Sequence, residues 1–383
     1  MKKRITNVKI FPISSEPFEG ELLFDESSIL EVGPKVQGTA EETLDGKGGL
    51  LMPGFIDGHS HIGLMPEGYG WEYDDVNEYS DPVTADVRCM DAFVPTDMGI
   101  EESARGGVMM YCVLPGSANP VGGLGFIAKY TRSNLLEDKV IRADCGLKMA
   151  TGENPKRVYQ EYKKMPVTRM GTAAVMRKFF FDGLNYMQKK EKAEKEGKPF
   201  SETDLKMEVA QLVLEKEIPA RIHCHRAEDM LTAIRIKKEF DINIVIEHAT
   251  ELIKVADELK QNEIPVFLGP YMGSRPKVEL REMTYRTYGA AEKAGILFGC
   301  MSDHPVFPAE VLRIQAGLGV QYGASEKAML ESLTINPAKI LQLEESYGTL
   351  EEGKVPMMCL WDGHPFDARS RVVWNNVDGW LSR

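Results

Sequence analysis

Leu51-Met52-Pro53-Gly54-Phe55-Ile56-Asp57-Gly58-His59-Ser60-His61 is the stretch on which the fold turns. Leu51–His59 is an apolar run of strand length, and two imidazoles stand at its end. Residues two apart on an extended strand point to the same face, so His59 and His61 present their rings together. A buried strand that delivers polar side chains at its C-terminal end is how parallel α/β folds position chemistry.

Working outward, the pattern repeats. Val108–Leu114, Gly125–Lys129, Ile141–Lys148, Ala220–Cys224, Asn243–His248, Pro265–Gly269 and Ile296–Asp303 complete a set of eight apolar runs, with helix-like segments between most of them. Eight such units predict an α/β chain folded as a closed parallel (β/α)8 TIM barrel. An open doubly wound sheet is the alternative, but no GxGxxG opens a helix. Before Leu51 the chain reads as short strands, Val8–Pro12, Glu21–Phe24 and Ser28–Val32. After Asn336-Pro337 come a helix, Ala338–Leu343, and a turn-rich strand segment through Met357–Trp361. We expect the ends to unite in a small β-sandwich domain, residues 1–52 with 345–383, beside a barrel of residues 53–344.

Two connections are too long for plain loops. Leu64–Asp97 follows the first run, and Met149–Pro219 follows the fourth and holds more than one helix. Asn154-Pro155 predicts a helix start, and the Lys/Glu run 189–198 a solvated helix face. In a barrel both insertions overhang the C-terminal face.

Composition narrows the partners. Of 383 residues, 46 are Lys or Arg and 58 are Asp or Glu, a formal charge of −12 with no basic block. This argues against nucleic acid and against an anionic membrane surface as partners. No stretch approaches the roughly 18 apolar residues of a membrane helix. The start, Met1-Lys2-Lys3-Arg4-Ile5-Thr6, lacks the apolar core of a signal peptide. Six cysteines without a CxxC read as reduced thiols in a cytoplasmic protein.

Five of the seven histidines, His59, His61, His223, His225 and His248, fall at the C-terminal ends of the runs. Asp303 ends the eighth, and His223 and His225 repeat the spacing of His59 and His61. A lone strand-end histidine is more often a hydrogen-bonded core residue. Five of them with a strand-end carboxylate are the donor set of a borderline divalent ion such as Zn2+.

Met52–His61 resembles the first-strand signature of the amidohydrolase superfamily, with Gly48–Leu51 as its lead-in. Ile246-Glu247-His248, Met301-Ser302-Asp303-His304-Pro305, Thr334-Ile335-Asn336-Pro337-Ala338 and Gly348–Lys354 resemble its later segments. Within it the chain is most similar to the imidazolonepropionase-like and prolidase-like branch. It departs at Val355-Pro356-Met357-Met358, where relatives carry an acidic stretch.

The resemblance implies a homo-oligomeric hydrolase with one or two Zn2+ ions. His59, His61 and Asp303 would hold the more buried ion and His223 with His248 the second. Gly146–Gly152 resembles the segment where related peptidases carry a carboxylated lysine, which makes Lys148 the bridging ligand and Glu153 the runner-up. His225 would contact substrate or support a ligand. The ion lowers the pKa of bound water to about 7, and Asp303 moves its proton to the leaving nitrogen. Arg169 and Arg226 are candidates for a substrate carboxylate. The reading is hydrolysis of an amide, cyclic amide or peptide-like bond. Its rival is deamination of a small heterocycle, for which relatives place a glutamate where this chain has Arg226. A scaffold without ligands is a third reading, against which the full donor set stands.

Overall fold

The computed structural model describes residues 1–381. The chain opens with β1 (Lys3–Ile10), β2 (Phe18–Phe24), β3 (Ile29–Gly33) and β4 (Glu42–Pro53). Eight strands then form a second sheet: β5 (Phe55–Ser60), β6 (Val108–Val113), β7 (Val121–Lys129), β8 (Val140–Ala150), β9 (Ala220–Cys224), β10 (Ile244–His248), β11 (Val266–Leu268) and β12 (Phe298–Cys300). β13 (Met358–Trp361), β14 (Val372–Asn375) and β15 (Gly379–Trp380) return to the first sheet. Helix α1 (Met98–Arg105) precedes β6, and α2 (Glu153–Glu161), α3 (Arg169–Lys195) and α4 (Leu205–Leu214) fill the long connection before β9. One helix follows each of the next three strands: α5 (Ala227–Phe240), α6 (Ala256–Gln261) and α7 (Arg286–Ala294). α8 (Leu312–Gln321), α9 (Glu326–Glu331) and α10 (Ile335–Ile340) follow β12.

Every apolar run becomes a strand of the eight-stranded sheet, which curls into a nearly closed barrel. The expectation that all eight run parallel is corrected by β7, which is antiparallel to both β6 and β8. Its connections, residues 114–120 and 130–139, are shorter than the dozen or so residues a parallel crossover needs. β7 also starts earlier than expected. Gly122 and Gly123 lie inside it because residues 83–88 cross over it, and a Cβ on Gly123 would stand 2.4 Å from the Val87 carbonyl. No ladder joins the edge strands β5 and β12. Single bonds past their ends draw them together: Asp303 N–H to His59 O at 3.1 Å and His61 N–H to His304 O at 2.8 Å.

The opening stretch proves to belong to two sheets. Leu51–Pro53 ends β4 and pairs with β13, whereas Phe55–Ser60 is the barrel's β5. Gly54 makes the transition, donating its N–H to Met357 O at 2.9 Å; a Cβ there would meet Met109 at 2.7 Å. The first sheet, ordered β15-β14-β13-β4-β1-β2-β3, is one continuous ladder and not the two stacked sheets of a sandwich. It coils until Phe24 of β2 and Trp374 of β14, four strands apart, meet edge to face at 6.2 Å. Trp361, fully buried, joins this sheet to the barrel by packing on Phe55 at 5.6 Å and over Gly107. Truncating such a core Trp to Ala costs about 3–5 kcal/mol. The C-terminal half of α3 carries exposed Lys–Glu pairs, the solvated face expected of residues 189–198. The start of α2 is displaced from expectation: Gly152 caps it, and Pro155 lies two residues inside its first turn.

Candidate metal centre

The barrel's C-terminal face brings all five strand-end histidines together with Asp303 and Lys148. In a first cluster, His59 Nε2 and His61 Nε2 lie 3.1 and 3.2 Å from the same oxygen, Asp303 Oδ1. Their other nitrogens are fixed. His59 Nδ1–H donates to Glu247 Oε2 at 2.8 Å, and His61 Nδ1–H donates to Leu114 O at 2.6 Å. Bonding Nδ1 in this way leaves each Nε2 lone pair facing inward, the tautomer a metal ligand needs. Glu247 is held in turn by Arg221, which also donates to Gly58 O at 2.7 Å and stacks over Phe267 at 4.9 Å. Gly58 is obligatory here, since a Cβ would sit 1.8 Å from the Phe267 ring. Burial opposes the charge on Glu247, but Arg221 and His59 outweigh it and pull the carboxyl down to about 2. Burial and Lys148 press the His59 pKa downward, yet Glu247 and Asp303 together hold it above its ordinary value.

The second cluster comprises His223, His225 and His248, with ring centroids 4.4 to 4.6 Å apart. His225 Nδ1 is hydrogen-bonded to Thr250 Oγ1 at 2.8 Å, and His248 Nδ1–H donates to Gly269 O at 2.9 Å. His223 is 3% exposed, and neither ring nitrogen has a partner among the described residues. Burial and neighbouring imidazoles hold His223 well below the ordinary pKa, burial does the same for His225, and His248 falls to about 3. All three are neutral at pH 7 and have lone pairs to give.

Strand alternation alone does not build this face. Glu247 pairs in register with His223 and shares its side of the sheet, so the adjacent His248 should point away. A φ of +69° at His248 turns its ring back inward. Asp303, three residues beyond β12, has a φ of +58°. Left-handed backbone at bulky residues is uncommon and gathers at functional sites. The same turn, rather than strand alternation, sends His304 outward. Its ring is buried under Gly99, and its Nε2 lies 3.8 Å from Glu67.

Lys148 is 1% exposed with Nζ 3.3 Å from His59 Nε2 of the first cluster, and its charge is felt by His223 and His248 of the second. Burial lowers its pKa to about 8 although Glu247 and Asp303 pull the other way. Glu153 joins neither cluster; it begins α2, and its N–H donates to Glu279 Oε2 at 3.0 Å. Arg169 forks onto Asp229 at 2.8 and 3.0 Å, and Arg226 reaches Glu228 at 3.1 Å and Glu251 at 3.4 Å. Both arginines are therefore already engaged with protein carboxylates. Sequence reasoning gave no role to Arg221, Glu247 or Glu279. Arg221 was open to discovery, because it precedes His223 by two and shares its face. Glu279 comes from the loop after β11 and carries no sequence signal.

A family model described as Amidohydrolase family matches residues 50–382. Amidohydrolase tasK of Hapsidospora irregularis is 27% identical over 395 residues, covering 94% of this chain. The match takes in 39% of that relative, so the chain spans about two fifths of its length. The crystal structure of an amidohydrolase from Thermotoga maritima MSB8 superposes over all of both chains with a TM-score of 0.97 and 49% identity. A β-aspartyl dipeptidase from Fervidobacterium islandicum AW-1 (TM-score 0.61, 16% identity, 99% of this chain and 96% of that one) shares the fold alone. With a model matched from residue 50 to residue 382, the whole barrel falls inside the comparison: the chain belongs to the amidohydrolase family.

Proposed function

We propose that the protein is a zinc-dependent hydrolase of an amide, cyclic amide or peptide-like bond in a small molecule. The observation that carries this is His223, buried with both nitrogens unpartnered in a cluster of neutral imidazoles. Such a group is costly in a protein core unless a ligand takes its lone pair. The residues fit a two-ion centre: His59, His61 and Asp303 on one side, His223 and His248 on the other, carboxylated Lys148 between them. Divalent ions held there supply a polarised water near neutral pH and a Lewis acid for the carbonyl.

The chain's own groups do the rest. Lys148, with a pKa of about 8, offers a fraction of free amine at pH 7. Attack of that amine on CO2 forms an N–C bond, releases a proton and yields an anionic carbamate. Asp303 Oδ1 faces His59 and His61, which leaves Oδ2 to accept a proton from water and deliver it to the leaving nitrogen. Glu247 fixes the His59 ring and Thr250 the His225 ring. Arg169 keeps Nη1 uncommitted among the described residues, which suits a substrate carboxylate. Six buried, unbridged cysteines favour a reducing compartment, and no described helix is long and apolar enough to cross a membrane.

The test is a panel of amides, cyclic amides, dipeptides and amino-heterocycles offered to the zinc-loaded protein. Amide cleavage with loss of activity on chelation is expected. Ammonia released from a heterocycle, with no amide cleaved, would establish deamination instead.

A further inference from the structure

We propose that Glu279 reads an amino group on the substrate, so that the enzyme acts on an acyl compound with a free amine beside the scissile carbonyl, such as an aminoacyl amide or a dipeptide. This rests on the amide-hydrolase reading above and adds the substrate class.

Glu279 is 3% exposed, and its two oxygens differ. Oε2 accepts the Glu153 N–H at 3.0 Å. Oε1 has no hydrogen-bond partner among the described residues. His225 Nε2 lies 3.9 Å from Oε1 and Lys277 Nζ lies 3.7 Å from it, both beyond hydrogen-bond reach. Lys277 is drawn elsewhere: its ammonium donates to Asn154 Oδ1 at 2.6 Å, and Asn154 is tied to Ser117 at 2.8 Å. A buried carboxylate oxygen in this state calls for a donor from outside the chain. Gly152, at φ +77°, passes so close that a Cβ would stand 2.7 Å from Oε2, so the missing side chain lets the carboxyl sit against the start of α2.

Charge points the same way. Glu279, Glu153 and Asp229 supply three carboxylates, and Lys277 and Arg169 two cations, of which Arg169 is forked onto Asp229. The remaining negative charge favours an ammonium over a carboxylate. The position matters too. His225 stands between Glu279 and the ligand histidines, with its ring 4.5 Å from His248 and 4.6 Å from His223. On this proposal an amine on Oε1 lies beside the His225 ring, next to the second cluster.

Glycine hydroxamate and acetohydroxamate differ only in the amine, and their hydroxamate groups chelate the ions. Titration calorimetry on the zinc-replete protein should show glycine hydroxamate binding at least about tenfold tighter, the margin of one charge-assisted hydrogen bond. Glu279→Gln should bring the ratio to within about twofold while leaving acetohydroxamate affinity unchanged. A wild-type ratio near one, or a ratio that survives in Glu279→Gln, overturns the proposal. If Glu279→Gln does not fold, Glu279→Asp should give an intermediate ratio, and an unaltered one overturns it. Failure of both probes to bind wild type overturns it too, while zinc content on the same samples reports separately on the metal reading.

Discussion

The two histidine clusters use the same residue type at the same spacing and are built differently. In the first, His59 and His61 each have Nδ1 anchored, Asp303 joins their inner nitrogens, and the Arg221–Glu247 pair lies behind. In the second, His225 and His248 are anchored but His223 is not, and among the described residues no carboxylate joins the three imidazoles, Glu279 Oε1 standing 3.9 Å from His225 Nε2. The first cluster therefore holds its shape through the protein's own bonds. The second has lone pairs but no carboxylate as near as Asp303 is in the first, so its shape depends on what binds and on a bridging charge from Lys148.

The largest effect should come from removing the anchored pair. His59→Ala with His61→Ala is expected to abolish stoichiometric zinc, whereas His223→Ala should lose only the ion of the second cluster. Metal analysis of the purified variants decides this, and full occupancy in the double variant would sink the proposed site. Next comes the support behind the first cluster. Arg221→Met leaves Glu247 buried without its cation, with only the His59 Nδ1–H bond remaining, and should cost about 3–5 kcal/mol in denaturant unfolding. A change under about 1 kcal/mol, the range of an ordinary surface site, would mean that the first cluster does not need its buried pair.

Lys148 links the two clusters and gives a pH test. Its native pKa of about 8 lies below the roughly 10.4 of an unfolded lysine. Below pH 8 both states hold the proton. From there to about pH 10.4 the unfolded state binds more protons, so stability rises with pH. In metal-free protein the stability of wild type relative to Lys148→Met should therefore improve by about 3 kcal/mol across that window. A flat difference would show the amine to be hydrated rather than buried. Lys148→Ala should lose metal and recover part of it with short carboxylic acids, as a bridging carbamate requires. Asp303→Asn should keep most of the metal and lower kcat at least about 100-fold; near wild-type turnover with metal retained would move proton transfer to His225.

Much of this was legible in the sequence, for reasons that also mark the limit. Strand position and identity were visible wherever burial forces an apolar run, as in Ala220–Cys224 and Asn243–His248. Direction was not, because β6, β7 and β8 differ from their neighbours only in how short their connections are. The join at Gly54 was hidden since both flanking strands are buried, and one apolar run spans two sheets. The histidines were readable from their place at strand ends. That His248 and Asp303 face the same centre depends on left-handed backbone, which no alternation rule supplies. Glu279 was invisible because it arrives through a loop 54 positions after His225.

The smallest expected effect separates anchoring from ligation in the second cluster. Thr250 is 2% exposed, and its hydroxyl is the partner of His225 Nδ1. Backbone bonding of Glu251 N–H to His225 O at 2.9 Å holds the main chain whether or not that hydroxyl is present. Thr250→Val therefore loosens the ring alone. A single neutral hydrogen bond contributes about 0.5–1.5 kcal/mol, which corresponds to a fall in kcat/KM of about 2- to 12-fold. Zinc stoichiometry should not change, because His223 and His248 keep their positions, and Thr250→Ser should restore the rate. Loss of zinc in Thr250→Val would instead place His225 among the ligands, and the second cluster would then be a three-histidine site whose shape the protein sets as firmly as it sets the first.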